Sequence, residues 1–455
     1  MNILKTVAAA APLALAALIP LPAAALWPPP SGGGARLLAA ATPWTTSLGW
    51  IESRFEAPDP GGLDGFGATI AVDGDTAFVG APNRPAVEGG FQGAVYVYTY
   101  ADGQWTPTQT LTADDAGVGD AFGSSIALQG STAIIGAPLA RVGSVAQAGT
   151  AYVFRYDGTQ WVQAQKLVAD VPGLVADFGD AVALDGANAV IGAHGVFGPN
   201  GEASVGAAYV FAESGGTWTQ TAKLTASAAH ERDLFGVSVG IAGDTIVVGA
   251  SQATWIDGES GPGPGRVYVY RASSAGWTET GHLVADDGVD GDYFGETLAF
   301  DGSTLAIGAP AVSAGGAGYQ GAVYVFEPSA EGWQQRVKLA MPGGEESAFF
   351  GRALALAGPR LAVGAPGATA NDNPFAGAAF LFSAADGSWP QVAQFSPSDG
   401  RVGDYLGFAV GVHRSGNVLA GAPHQLDDGL DAPGAVYVYA SDRVFADGFD
   451  GAAAR

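Results

Sequence analysis

A pair of residues, Phe-Gly, returns along this chain at a nearly constant interval: Phe66-Gly67, Phe122-Gly123, Phe178-Gly179, Phe235-Gly236, Phe294-Gly295 and Phe350-Gly351, with Leu406-Gly407 as a degenerate seventh copy. The steps are 56, 56, 57, 59, 56 and 56 residues. A period of that size marks a repeat architecture, in which each unit buries its apolar surface against the next. Length alone, at 455 residues, leaves the domain count open, and the repetition argues for one large domain.

Other landmarks keep step. Fourteen residues after the Phe stands Gly-Ala-Pro or a relative: Gly80-Ala81-Pro82, Gly136-Ala137-Pro138, Gly192-Ala193-His194, Gly249-Ala250-Ser251, Gly308-Ala309-Pro310 and Gly364-Ala365-Pro366. In the seventh copy, Gly421-Ala422-Pro423 comes one residue late. A variable stretch then leads to an alternating segment such as Val95-Tyr96-Val97-Tyr98, and seven residues beyond each of the first six segments sits a Trp: Trp105, Trp161, Trp218, Trp277, Trp333 and Trp389.

These landmarks predict four short strands per copy. Strand A follows Phe-Gly, and a tight turn such as Asp73-Gly74 or Asp301-Gly302, of type I′, leads to strand B. Strand B stops at the proline, which has no N–H for a ladder. Strand C is the Val-Tyr alternation, and strand D carries the Trp. Both faces of strand C are apolar, so each sheet needs a neighbour on both sides. A ring of blades meets that need without helices. The expected fold is therefore all-β, a seven-bladed β-propeller of four-stranded antiparallel blades. The seventh copy lacks its Trp, while a surplus Trp50 lies 16 residues before Phe66, against 17 for the others. The N-terminal strand around Gly49 to Glu56 is thus expected to complete the last blade and close the ring, leaving no open edge. Full burial of Trp50, ~200 Å² at ~25 cal/mol/Å², has an upper bound of roughly 5 kcal/mol.

Composition agrees. Gly, at 70 residues, is about twice its usual ~7% share, and charged residues at 14% fall below the usual ~25%. A net charge of -25, with no basic cluster, excludes nucleic acid and anionic lipid as natural partners. With no cysteine there are no disulfides, zinc-thiolate sites or thiol nucleophiles.

Residues 1–25 read as a secretory signal: Lys5 opens it, Val7 to Ile19 are largely apolar, and Ala23-Ala24-Ala25 offers the cleavage site. A Pro/Gly-rich linker, 26–48, precedes the propeller at 49–440, and a tail follows at 441–455. The expected product is exported to the periplasm, cell surface or medium, without a membrane span after signal cleavage, and monomeric.

Phe-Gly followed by Gly-Ala-Pro, repeated seven times, resembles the FG-GAP repeats of integrin α-subunit propellers and of many bacterial exported proteins. Such propellers often carry a D-x-D-x-D-G calcium loop between strands A and B. Here that connection is a tight turn, Asp73-Gly74-Asp75 at its most acidic, too short to wrap an ion. No cofactor is expected; calcium is the one open possibility, at other acidic loops. There is also no Arg-Gly-Asp tripeptide.

Acidic residues recur two places before the Phe: Asp64, Asp120, Asp233, Asp292 and Asp404, with Ala176 and Ala348 breaking the series and Asp177 one place off. A repeated position predicts a repeated structural job, so turn capping is expected, with a cation ring as the alternative, especially near Asp286, Asp287, Asp290 and Asp292. Gly236-Val237-Ser238-Val239-Gly240 spells a nucleophile elbow, but its register puts it inside a strand A. The five histidines lie at scattered turn and surface positions without metal spacing. The B-to-C loops are the longest and least uniform parts of each copy, and they share a face with the D-to-A loops. Trp255, Tyr319 and Phe375 are candidate aromatic anchors there, beside Asp120, Asp292 and Asp404.

The expected function is non-catalytic: a binding or adhesion scaffold for a protein or glycan, using that face. A polysaccharide hydrolase or lyase is the alternative from another class, and would need carboxylates converging in one pocket that breaks the repeat symmetry. A structural envelope protein is the third.

Overall fold

Strands form where the landmarks place them. The computed structural model describes residues 46–441 except 48, 63, 86–90, 253–262, 314–317, 331, 386 and 424–432, and every regular element in it is a strand. The signal at 1–25, most of the linker, the tail beyond Ser441 and Trp255 lie outside the described residues.

The strands make seven antiparallel four-stranded sheets. Blade 1 consists of A, Thr69–Asp73; B, Thr76–Ala81; C, Ala94–Ala101; and D, Gln104–Leu111. Blades 2 to 6 span 125–167, 182–224, 238–283, 297–339 and 353–395. Each A strand touches the A strand of the next blade, and the last touches the first, so the A strands line a central channel. Because neighbours run antiparallel, the B-to-C and D-to-A loops emerge on one face of the ring and the A-to-B and C-to-D turns on the other.

The two apolar faces of strand C mate across blade boundaries. Val95 and Val97 of blade 1 share a core with Tyr152 and Phe154 of blade 2. At the closure, Val436 and Val438 of blade 7 meet Tyr96 and Tyr98 of blade 1. Every Phe of Phe-Gly, and Leu406, is fully buried, and Phe66 meets Tyr96 edge to face at 5.4 Å. Paired hydrogen bonds tie the outer strands: Gln109 accepts from the Trp161 N–H and donates to its carbonyl, both at 2.8 Å, and Gln165 does the same for Trp218.

Blade 7 combines Ala409–Val412, Val418–Ala422 and Ala435–Ser441 with the N-terminal strand Trp50–Phe55. That strand runs in unbroken register from Trp50 opposite Ser441 to Phe55 opposite Val436. In the other six blades the C–D pairing slips by one residue, as between Val97 and Tyr98. The bulge adds one residue to each of those D strands, which accounts for the 17-residue spacing against 16 at Trp50. The first residues of the described chain also reach blade 6, where the Ser47 N–H donates to the Gln394 carbonyl at 2.8 Å. Trp50 stacks edge-on against Phe395 of blade 6 at 4.9 Å. It is only partly buried, so its expected contribution falls to about 2–3 kcal/mol, half the full-burial figure.

The turns depart from expectation in type. In blade 1, Asp73 pairs with Thr76, so the loop residues are Gly74 and Asp75. Gly74 has φ 56 while Asp75 has none of the left-handed geometry that type I′ requires at both positions. The pattern, positive φ at the first loop residue alone, is that of type II′. The Asp73 carboxylate accepts the Gly130 N–H of the next blade's turn at 2.6 Å, and Asp185 accepts that of Gly243 at 2.7 Å.

The glycine of Gly-Ala-Pro is required by space. A Cβ on Gly136 would lie 1.9 Å from the Gly179 carbonyl oxygen of the following blade, and the same clash recurs from Gly80 to Gly421. Gly136→Ala is therefore expected to cost about 3 kcal/mol or more, through forced separation of two blades. Gly130→Ala, at φ 56 with open space around it, should cost only about 1 kcal/mol. Thermal melts of the two variants check this, and equal losses would refute the interlock.

Candidate functional site

A cavity of about 280 Å³ opens at the centre of the loop-rich face, where the channel begins. It is lined by the second, third and fourth residues after the Phe or Leu of every copy. The second of these is Ala68, Ser124, Val237 and Phe408 in four blades, but Asp180, Glu296 and Arg352 in blades 3, 5 and 6. Seven equivalent backbone positions thus carry three charges between blades 3 and 6, interrupted only by Val237, and small or apolar side chains on the rest.

Further departures from the repeat gather behind that arc. His194 stands where five other copies have proline. Its Nδ1 lies 3.2 Å from Asp180 Oδ2 and its Nε2 3.6 Å from Asp177 Oδ2. Asp177 occupies the left-handed position just before Phe178, with φ 54. Burial disfavours the His194 charge, but the carboxylates of Asp180, Asp177 and Glu296 outweigh it and push the pKa up to about 9. Burial lifts Asp177 to about 7, against the pull of the His194 charge. Glu296 is 6% exposed, and burial raises its pKa while Arg352, Ser251 and His194 pull it down. Glu296 Oε2, Ser251 Oγ and Asp177 Oδ1 are all buried without a hydrogen bond of good geometry, a concentration of polar capacity that native interiors rarely leave unmet. Arg352 lies 5.2 Å from the ring centre of Phe408.

The acidic residues singled out from the sequence are elsewhere. Each bonds to the backbone of its own D-to-A loop: Asp120 accepts from Gly117 N–H at 2.6 Å, Asp292 from Val289 at 2.9 Å, Asp404 from Arg401 at 2.7 Å, Asp64 from Gly61 at 3.1 Å and Asp233 from His230 at 2.6 Å. They are spread around the ring. Asp287, near Asp292, instead accepts from the Tyr324 hydroxyl at 2.9 Å and from Lys338 at 2.6 Å. Among the described residues no three His, Asp or Glu side chains form a metal-binding group. Tyr319 is 45% exposed, its ring 5.7 Å from Phe349. Phe375 is partly buried, 5.8 Å from Tyr405 beside the apolar arc of the mouth. Ser238 of the apparent nucleophile elbow is buried and donates to the Gly295 carbonyl at 2.6 Å, bridging two blades.

Histidines expected at the surface are corrected in two cases. Besides His194, His413 is 2% exposed and holds Asp75 at 3.1 Å across the closure of the ring. Asp180, Glu296 and Arg352 escaped attention because each is unremarkable in isolation. Aligning the copies on Phe-Gly and scanning the position two residues later would have isolated all three.

The molecule is a seven-bladed β-propeller that presents an asymmetric charged recess at the centre of its loop-rich face. Comparison with known protein families matches the FG-GAP repeat seven times, at residues 51–98, 105–154, 161–211, 218–270, 277–326, 333–382 and 389–439. The chain belongs to the FG-GAP repeat family, and its propeller is integrin-α-like. A search of curated proteins found no match to it.

His194 gives a pH signature. Its folded pKa of about 9 lies above its ordinary 6.5, so its stabilising contribution is complete below pH 6.5 and lost as pH rises through 9. Asp177, raised from 3.8 to about 7, also binds more protons when folded, so stability falls with rising pH across that window as well. An NMR titration of the His194 ring should show a midpoint near 9, and His194→Asn should flatten the alkaline loss of melting temperature. A midpoint near 6.5 would refute the assigned ion pairs.

Proposed function

We propose that this chain is an exported, non-catalytic binding or adhesion module that recognises a protein or glycan through the face formed by its B-to-C and D-to-A loops. Membership of the FG-GAP family supports a binding or scaffold role, and the family is typically non-enzymatic. The signal-like segment at 1–25 supports export. Among the described residues no helix is long and apolar enough to cross a membrane.

The observation that carries the choice of face is where large apolar side chains meet solvent. Among the described residues, Phe91, Val118, Val171, Leu174, Phe197, Val284, Val289, Tyr319 and Val402 are exposed on these loops, whereas Ile51, Tyr156, Val162 and Val392 are the ones elsewhere. Exposed apolar groups concentrated on one face mark an interaction surface. The opposite face consists largely of tight polar turns. Arraying the mature chain against glycans and cell-surface proteins tests this. Phe197→Asp with Tyr319→Asp should weaken binding tenfold or more, about 1.4 kcal/mol. Substitution of Asp102, in the C-to-D turn of blade 1, should leave it unchanged. Binding that ignores the first pair and responds to the second would place the surface on the wrong side.

One observation favours a second reading, polysaccharide hydrolysis or lysis: Asp180 and Glu296 line one recess that breaks the symmetry, as acid–base chemistry on a glycosidic bond would need. Against it, Asp180 is already engaged by His194. Incubation with a polysaccharide panel should release no new reducing or unsaturated ends. Release abolished by Glu296→Gln would establish the enzyme instead.

A further inference from the structure

We propose that the recess at the channel mouth binds a single sugar residue at the end of a glycan, with Glu296, Asp180 and Arg352 holding its hydroxyls and Phe408 meeting its apolar face. This rests on the reading of the loop-rich face as the binding surface and names the ligand class at its centre.

Size comes first. At about 280 Å³ the recess sits at the lower edge of ligand pockets, which run from about 300 to 1,000 Å³. That space accommodates a single sugar ring.

Hydrogen-bonding capacity comes second. Glu296 lines the recess, is 94% buried by its 6% exposure, and leaves Oε2 unpartnered, with Ser251 Oγ buried beside it. This pair joins an acceptor to a hydroxyl. A sugar hydroxyl both donates and accepts, so it satisfies such a set where a purely cationic or purely anionic group cannot.

The charges of the recess balance. The carboxylates of Asp180 and Glu296 face the cations of Arg352 and His194 on the same arc. An ammonium ion would meet the guanidinium, and a phosphate or carboxylate would meet the two acids. A neutral polyol meets no like charge. Next to Arg352, blades 7 and 1 bring Ala68, Phe408 and Val410 to the mouth, apolar surface against which the C–H face of a sugar packs. Exposed Phe91, Phe197 and Tyr319 on the surrounding loops can take further residues of the same glycan.

Printed glycans with defined terminal residues, followed by competition with the corresponding free monosaccharides, test the proposal on the mature chain. Binding should sort by the terminal residue. Glu296→Gln and Arg352→Gln should each weaken it tenfold or more. Because Glu296→Gln removes a buried charge while keeping the shape, its melting temperature should stay within a few degrees of the parent, which separates loss of binding from loss of fold. Phe197→Asp should weaken extended glycans while sparing the free monosaccharide. Glycan binding indifferent to both recess variants would overturn the sugar recess but leave the face as the binding surface. So would binding of proteins alone, or competition by free amino acids in place of sugars. Absence of all binding to the face would overturn both readings.

Discussion

Seven times around the ring, the carbonyl oxygen of the glycine in Phe-Gly sits against the glycine that opens the preceding blade's Gly-Ala-Pro, with no room for a methyl group between them. The contact runs from Gly80 and Gly123 through Gly364 and Gly407, and closes between Gly421 and Gly67. It brings two sheets close enough for the Val face of one strand C to meet the aromatic face of the next, and so makes both faces of every sheet buried. Hydroxyls reinforce it: Thr69 and Thr297 each donate at 2.7 Å to the carbonyl of the following blade's Phe-Gly glycine. Close backbone approach, more than any single side chain, sets the spacing of the ring and hence the width of the channel at its centre.

Each sequence unit crosses a blade boundary. The family unit starts near the Trp of strand D and ends in strand C, as at 105–154, so one unit supplies the outer strand of one blade and the three inner strands of the next. The overlap used at the N-terminus to close the ring is thus the general connection of the chain. What is special at the closure is the absence of the bulge, which leaves Trp50–Phe55 in straight register. Arg54, bonded to Asp399 at 2.5 Å, and Tyr437, bonded to the same carboxylate at 2.6 Å, add a polar fastening there.

Repetition also separates structure from function. Residues that recur do recurring work: Asp120, Asp292 and Asp404 cap loops, Thr69 and Thr297 bridge blades, and Gln109 and Gln165 bind the backbone of the next outer strand. Chemistry collects where the repeat is broken. Blade 3 has lost its capping acid at Ala176, gained Asp177 in a left-handed position and Asp180 at the mouth, and replaced proline with His194. These changes answer one another electrostatically and, with Glu296 and Arg352, turn one arc of a sevenfold mouth into a polar recess.

The Phe-Gly period, the two apolar faces of Val95 to Tyr98 and the displaced Trp50 determined, by themselves, the blade count, the strand order and the closure of the ring. Those features are local patterns repeated many times, and burial on both sides of a sheet admits few topologies. Asp73-Gly74 does not reveal which residue pairs across the strands and so leaves the turn type open, and the depth of Trp50 at the rim depends on neighbours far away in sequence. Only the tertiary structure decided that Asp180, Glu296 and Arg352, separated by 56 to 172 residues, belong to one recess. The reason is geometric: positions equivalent within a repeat become neighbours only when the blades bend round a common axis, and no linear spacing records which of them then face the same space.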